Sequence, residues 1–185
     1  LEVKDYILGK KYEYQQAILY PLDTALVLNT AAAAIQAKKE ELAMPYYKQL
    51  INANVKGKDY ADVYEYVVDY YSRKEDETNL TPILEKAKKL YPYNEFWADV
   101  ELRVVSKKGD RSALYAKYRE LIAADPLNFK LAYNYAIEMY NAIYANKGEN
   151  KAADPATKED LTRALDKAIG MEQDDVSATV LMANH

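Results

Sequence analysis

The segment Tyr118–Ala136, YRELIAADPLNFKLAYNYA, decides how the rest of the chain is read. It holds one amphipathic run, a break at Asp125-Pro126, and at once a second amphipathic run. Proline lacks an amide hydrogen and fixes φ, so it closes one helix or opens the next at little cost. The residue before a proline is pushed out of the helical region. Breaks are therefore expected at Asp125 and, in the similar YPYN, at Tyr91. Asn94 and Asn128 follow each proline by two residues, where a side-chain oxygen can cap orphan amides of the next helix.

Outward from Pro126, the same punctuation recurs. Pro92 stands 34 residues earlier, and Pro21 opens the same pattern in YEYQQAILYPLDTALVLNTAAAA. Val55 and Gln173 occupy the matching places elsewhere, so the junctions fall at 21, 55, 92, 126 and 173, spaced by 34, 37, 34 and 47. The surplus residues lie in polar connections, Ser72–Asn79 and the Gly- and Pro-containing Asn146–Lys158.

The apolar residues keep the same beat. Twelve, eight and five residues before a junction stand Ala43, Tyr47 and Leu50, then Leu80, Leu84 and Ala87. The next sets are Leu114, Tyr118 and Leu121, and Leu161, Leu165 and Ala168. Steps of three and four put each triad on one helix face. After the junctions, the packing positions are Val27, Thr30, Ala31 and Ala34, then Ala61, Tyr64, Glu65 and Val68. They continue as Ala98, Glu101, Leu102 and Val105, and as Ala132, Tyr135, Ala136 and Met139. Before Pro21 the phase is shifted by about one residue, with Ala17 facing inward. The expected helices run over 5–19, 23–38, 40–53, 59–73, 80–90, 94–107, 110–124, 128–145, 157–170 and 174–185.

A period of 34 residues in paired amphipathic helices, with the DPLN and YPYN junctions, resembles the tetratricopeptide repeat family. The resemblance covers nearly the whole chain from about Asp5. It departs from the family where Ala31, Glu65, Leu102, Ala136 and Ala183 replace a common mid-helix glycine, and where Val55 and Gln173 replace the junction proline. It implies an all-α fold of helix-turn-helix repeats stacked into a right-handed superhelix. The domain would be single over 1–185, with units of roughly 5–21, 22–55, 56–92, 93–126 and 127–173 and a partial one at 174–185. The last helix then lacks its pair, so either more chain follows or it acts as a cap.

Composition narrows the functions open to such a scaffold. The chain has 185 residues, a net charge of −4 and interspersed Lys and Glu, which offers no footprint for nucleic acid. There is no cysteine and one histidine, His185, so thiolate and multi-histidine metal sites are excluded and no cofactor is expected. No apolar run reaches the ~20 residues of a membrane span. Leu1 at the start implies that something upstream was removed, and both the cytoplasm and the cell envelope remain open. Tyrosine is the outlier, 19 residues against two Phe and one Trp. Its ring buries while its hydroxyl stays at a wet edge, which suits thin helical layers and suits a binding surface equally.

Catalytic spacing is missing. Glu40-Glu41, Glu75-Asp76-Glu77 and Asp174-Asp175 lie at expected helix starts or loops, where negative charge complements the helix dipole. Thr157 with Asp160 has capping-box-like spacing, and Asn79 or Thr81 is expected to cap the helix holding Leu84. His185 reads as a helix residue or a chain end. The protein is therefore not expected to be an enzyme.

The resemblance places a concave groove on the first helix of each pair. Its exposed positions would be Ala25, Leu28, Ala32 and Ile35, an apolar wall, and then Asp59, Asp62, Tyr66 and Asp69. Phe96, Asp99, Arg103 and Ser106 follow, with Lys130, Tyr133, Ile137 and Tyr140 after them. Asp62, Asp69 and Asp99 would favour basic side chains of a partner peptide, with Arg103 and Lys130 beside them and Tyr66, Tyr133 and Tyr140 offering stacking area. A non-catalytic scaffold for a protein or peptide partner is the leading expectation. A self-assembling adaptor of a larger envelope complex and a carbohydrate-handling envelope module are the alternatives.

Overall fold

A computed structural model describes residues 23–145, 155–171 and 176–185. The helix expected at 5–19, the junctions at Pro21 and Gln173, and the Asp174-Asp175 pair lie outside these residues. Every regular element among the described residues is helical. Two compact bodies divide the chain after Tyr93, and each is built from helices packed against their sequence neighbours.

The first body holds α1 (Thr24–Gln36), α2 (Glu40–Ala53), α3 (Ala61–Arg73) and α4 (Glu77–Leu90). The Asp23 carboxylate caps α1 by accepting from the Leu26 amide at 3.0 Å. Helix α4 begins three residues earlier than its apolar rhythm indicates. Asp76, not Asn79 or Thr81, is the cap: its carboxylate accepts from the Asn79 amide at 3.1 Å, and Thr81 instead donates to the Glu77 carbonyl. Pro45 in α2 and Pro82 in α4 are exposed and each is the sixth residue of its helix. Both stand ten residues before a junction, so they are a further repeat mark that lies inside helices rather than between them.

The second-helix triads all point into this core. Ala43, Tyr47, Leu50, Leu80, Leu84 and Ala87 are buried, and each large one contributes about 1.5–3 kcal/mol by leaving water. Tyr64 and Val68 of α3 and Val27 and Ala31 of α1 are buried as well. The Tyr64 and Tyr91 rings meet edge to face at 5.8 Å, and the Tyr91 hydroxyl accepts from the Tyr60 amide at 2.9 Å. Lysines link the two second helices: Lys48 Nζ donates to Asn79 Oδ1 at 2.8 Å, and Lys86 Nζ to the Ile51 carbonyl at 2.6 Å.

The second body holds α5 (Phe96–Lys107), α6 (Arg111–Ala124), α7 (Phe129–Tyr140), α8 (Lys158–Ile169) and α9 (Ser177–Ala183). One wide π turn, Asn141–Ala145, extends α7 to the length expected from its spacing. Gly109 makes the tight turn between α5 and α6 at φ +73, a left-handed conformation that side chains resist. Leu102, Leu114, Tyr118, Ile122 and Leu131 form one core cluster. Tyr115, Ala136, Met139, Leu161 and Leu165 belong to another. Trp97 is buried. Of the second-helix triads here, Leu121 alone is half-buried instead of buried.

Caps fix where these helices start. Asn128 Oδ1 caps α7, accepting from the Leu131 amide at 3.0 Å. At α5 the cap position is Glu95, which makes no side-chain cap bond, and Asn94 one residue earlier accepts from the Phe96 amide at 3.0 Å. At α8 the capping box is complete. Thr157 Oγ1 accepts from the Asp160 amide, and Asp160 accepts from both the amide and the hydroxyl of Thr157. These Thr157 bonds, with Arg163 beyond them, hold the Asp160 carboxyl down at about 2. The stabilisation is present above the ordinary 3.8 and is lost as pH falls through about 2. Thr157→Ala should cost ~1 kcal/mol of stability. In an NMR carboxyl titration it should also bring Asp160 back towards its ordinary value, whereas an unmoved Asp160 would show that the box is not made in solution.

Candidate interaction surface

Each first helix divides its residues between two stripes that differ in burial. The packing positions of α1, α3, α5 and α7 are all buried or half-buried. The proposed groove positions on the same helices are all half-buried or exposed. One stripe of each first helix is therefore buried or half-buried, and the neighbouring stripe is half-buried or exposed.

In the first body, α1 presents Ala25 and Ala32 exposed, with Leu28 and Ile35 half-buried. On α3, Asp62 is exposed, while Tyr66 and Asp69 are half-buried and already engaged. The Tyr66 hydroxyl donates to Glu40 Oε1 at 2.9 Å, and its ring lies 5.4 Å from that of Tyr47. Burial and this bond to Glu40 push the Tyr66 hydroxyl up to about 12. The Glu40 carboxyl is held below its ordinary value, first by Tyr66 and then by Arg73. Arg73 closes the network, reaching Glu40 at 3.3 Å and Asp69 at 2.7 Å. These two acceptors raise its own pKa, Asp69 more than Glu40. Glu40 thus serves α2 twice, in its first turn, where negative charge meets the helix dipole, and as the anchor of α3.

In the second body, Asp99 of α5 and Lys130 of α7 form an ion pair at 2.9 Å, with Glu95 at 3.9 Å from the same ammonium. Asp99 holds the Lys130 ammonium above its usual range. Arg103 is half-buried. Tyr133 is half-buried and stacks on Phe129 at 5.5 Å with the planes 5° apart. Tyr140 is half-buried with its ring 4.8 Å from that of Tyr144. Within this body Asp99 and Lys130 pair between α5 and α7. Phe129 and Tyr133 instead pack against the Ala132, Ala168 and Ala178 cluster, and Tyr140 and Tyr144 against the cluster of Met139 and Leu161.

Two features were not anticipated. Asp69 and Asp99, expected to await a basic guest, already carry cations of this chain. The signal for the second pairing was in the register, since Asp99 and Lys130 sit 31 residues apart, just short of one period. The exposed Asp99–Lys130 pair is worth only about 0–1 kcal/mol, whereas Arg73 is held by both Glu40 and Asp69. The second feature is His185, which lies past the end of α9 and not within it. Its ring nitrogens stand 2.8 Å from the Tyr144 hydroxyl and 2.8 Å from Thr162 Oγ1, tying α8 to the π turn after α7.

Among the described residues, no group of His, Asp and Glu side chains is arranged to hold a metal ion, and no helix is long and apolar enough to cross a membrane. Comparison with family models, with curated proteins and with solved structures finds no match to this chain.

Proposed function

We propose that this protein is a non-catalytic interaction module of tetratricopeptide-like type. Its helix pairs wind into a right-handed superhelix, and it binds a partner peptide along the outward stripes of its first helices. The observation that carries the reading is the division of those helices into a stripe that is buried or half-buried and an adjacent one that is half-buried or exposed, at each described repeat. The stacking reading draws support from bonds between helices of the same kind in adjacent pairs. Lys48 meets Asn79 and Lys130 meets Asp99, each across 31 residues, and Lys86 meets Ile51 across 35.

The partner's chemistry follows from the side chains. Asp62, Asp69 and Asp99 favour Lys or Arg on the guest, Arg103 and Lys130 set its register, and Tyr66, Tyr133 and Tyr140 supply flat contact area. A peptide array probed with the whole protein tests this. The doubly substituted Asp62→Lys/Asp99→Lys protein should lose basic, aromatic-rich spots at least tenfold. Identical profiles for the two proteins would remove the stripe from consideration.

A further inference from the structure

The second helices behave differently in the two bodies. Helices α2 and α4 are joined by the Lys48–Asn79 and Lys86–Ile51 bonds. The polar contacts of α8 among the described residues run within its own N-terminal turns and to Tyr144 and His185. Between α6 and α8 a cleft of about 380 Å³ opens onto α7, and a second cavity of about 220 Å³ adjoins it, with Arg119, Tyr135, Met139 and Asp160 common to both.

The cleft has an apolar floor and a cationic rim. Ile122, Ala132, Met139 and Ala164 line the floor, and Arg119, Arg163 and Lys167 stand around it. Among the described lining residues Asp160 is the one carboxylate, bonded to Thr157 and paired with Arg163, which leaves Arg119 and Lys167 as the cations not in an ion pair with it. Arg119 meets the Tyr135 hydroxyl, a neutral acceptor, at 3.1 Å. On a chain of net charge −4, this is a local excess of positive charge beside buried apolar surface.

We propose that this cleft is a second binding site, separate from the first-helix stripe, and that it takes an acidic peptide segment with an apolar anchor. Its length fits an extended chain. The lining of α6 runs from Ser112 to Ala123, about 16 Å at 1.5 Å per helical residue, which accommodates about five extended residues. Met139 gives the floor a side chain that reshapes around an anchor. Carboxylates flanking that anchor face the Arg119 guanidinium on one wall and the Lys167 ammonium on the other, beside the Asp160–Arg163 pair.

The test is a ¹⁵N NMR titration of the whole chain with three probes: an acetylated peptide of alternating Glu and Leu, its Lys–Leu analogue, and octanoate. The Glu–Leu peptide should give saturable shifts at Arg119, Ile122, Ala132, Ala164 and Lys167, weakened by added salt. The Lys–Leu peptide should give none. Arg119→Glu/Lys167→Glu, both on exposed positions, should keep its helicity and bind the acidic peptide at least tenfold more weakly. Asp62→Lys/Asp99→Lys should leave these shifts intact, which separates the cleft from the stripe. The proposal is overturned by a silent cleft at millimolar Glu–Leu peptide, by equal binding in the charge-reversed protein, or by a response to octanoate alone.

Discussion

Leu161→Ala should remove roughly 2–5 kcal/mol of stability, a large share of the 5–15 kcal/mol typical of a folded domain. Leu161 is fully buried at 0% exposure and packs with Tyr115, Ala136, Met139 and Leu165. Two things keep the cost high. Ala136 and Ala164 on the same cluster are already small, so they cannot swell into the void. Leu161 also sits on the first turns of α8, where it fastens the helix start that the capping box defines. Met139 belongs to the cluster and Met182 packs against it, and partial relaxation of these flexible thioethers would move the result towards the lower end. Urea unfolding followed by circular dichroism reads the loss. Val180→Ala, at a position 55% exposed, should stay within about 0.5 kcal/mol of the parent. Equal midpoints for the two variants would mean that this cluster is not the core of its body.

Leu161 was legible in the sequence because the signal there is local. Residues spaced by three and four share a face whatever lies opposite, so the triads of the second helices appear before any partner is known. Helix starts were legible where the cap was a single residue beside a proline, as at Asn128. The start at Asp76 was not, because Asp, Asn and Thr crowd the same few positions and each is a competent cap. Pro45 and Pro82 carry the period as faithfully as the junction prolines, yet proline is ordinarily read as a helix boundary and not as an exposed helix residue. The pairs on the candidate stripe needed a further step. A residue's offset gives its face, but its partner lies on another helix, and the pairing of Tyr66 with Glu40 depends on how two helices cross. The cleft between α6 and α8 was least legible. It opens where the spacing rises to 47, in the one place where the repeat pattern says least about neighbours.

The tyrosine excess has a consequence in alkali. Burial pushes the Tyr118 hydroxyl up to about 12 from 10.0, and Tyr64 reaches about 12 through burial and then its neighbour Tyr91. Tyr66, half-buried and bonded to Glu40, is also held near 12. The fold favours the neutral phenol in each case, so the contribution is complete below pH 10 and is lost as pH rises through about 12. For Tyr64 in the first body and Tyr118 in the second the effect is on the order of 1–2 kcal/mol each once solvent screening is discounted, a sizeable share of the stability of a folded domain. Helicity should therefore collapse cooperatively between pH 10 and 12, with tyrosinate absorbance rising in the same step. Tyr118→Phe keeps the ring and removes the titrating group, so its alkaline midpoint should move to higher pH. Tyr93→Phe, at a position 97% exposed, should leave the midpoint where it was. Coincident midpoints for all three proteins would assign the alkaline transition to groups other than the buried phenols, and would show that the Tyr118 hydroxyl reaches water without unfolding.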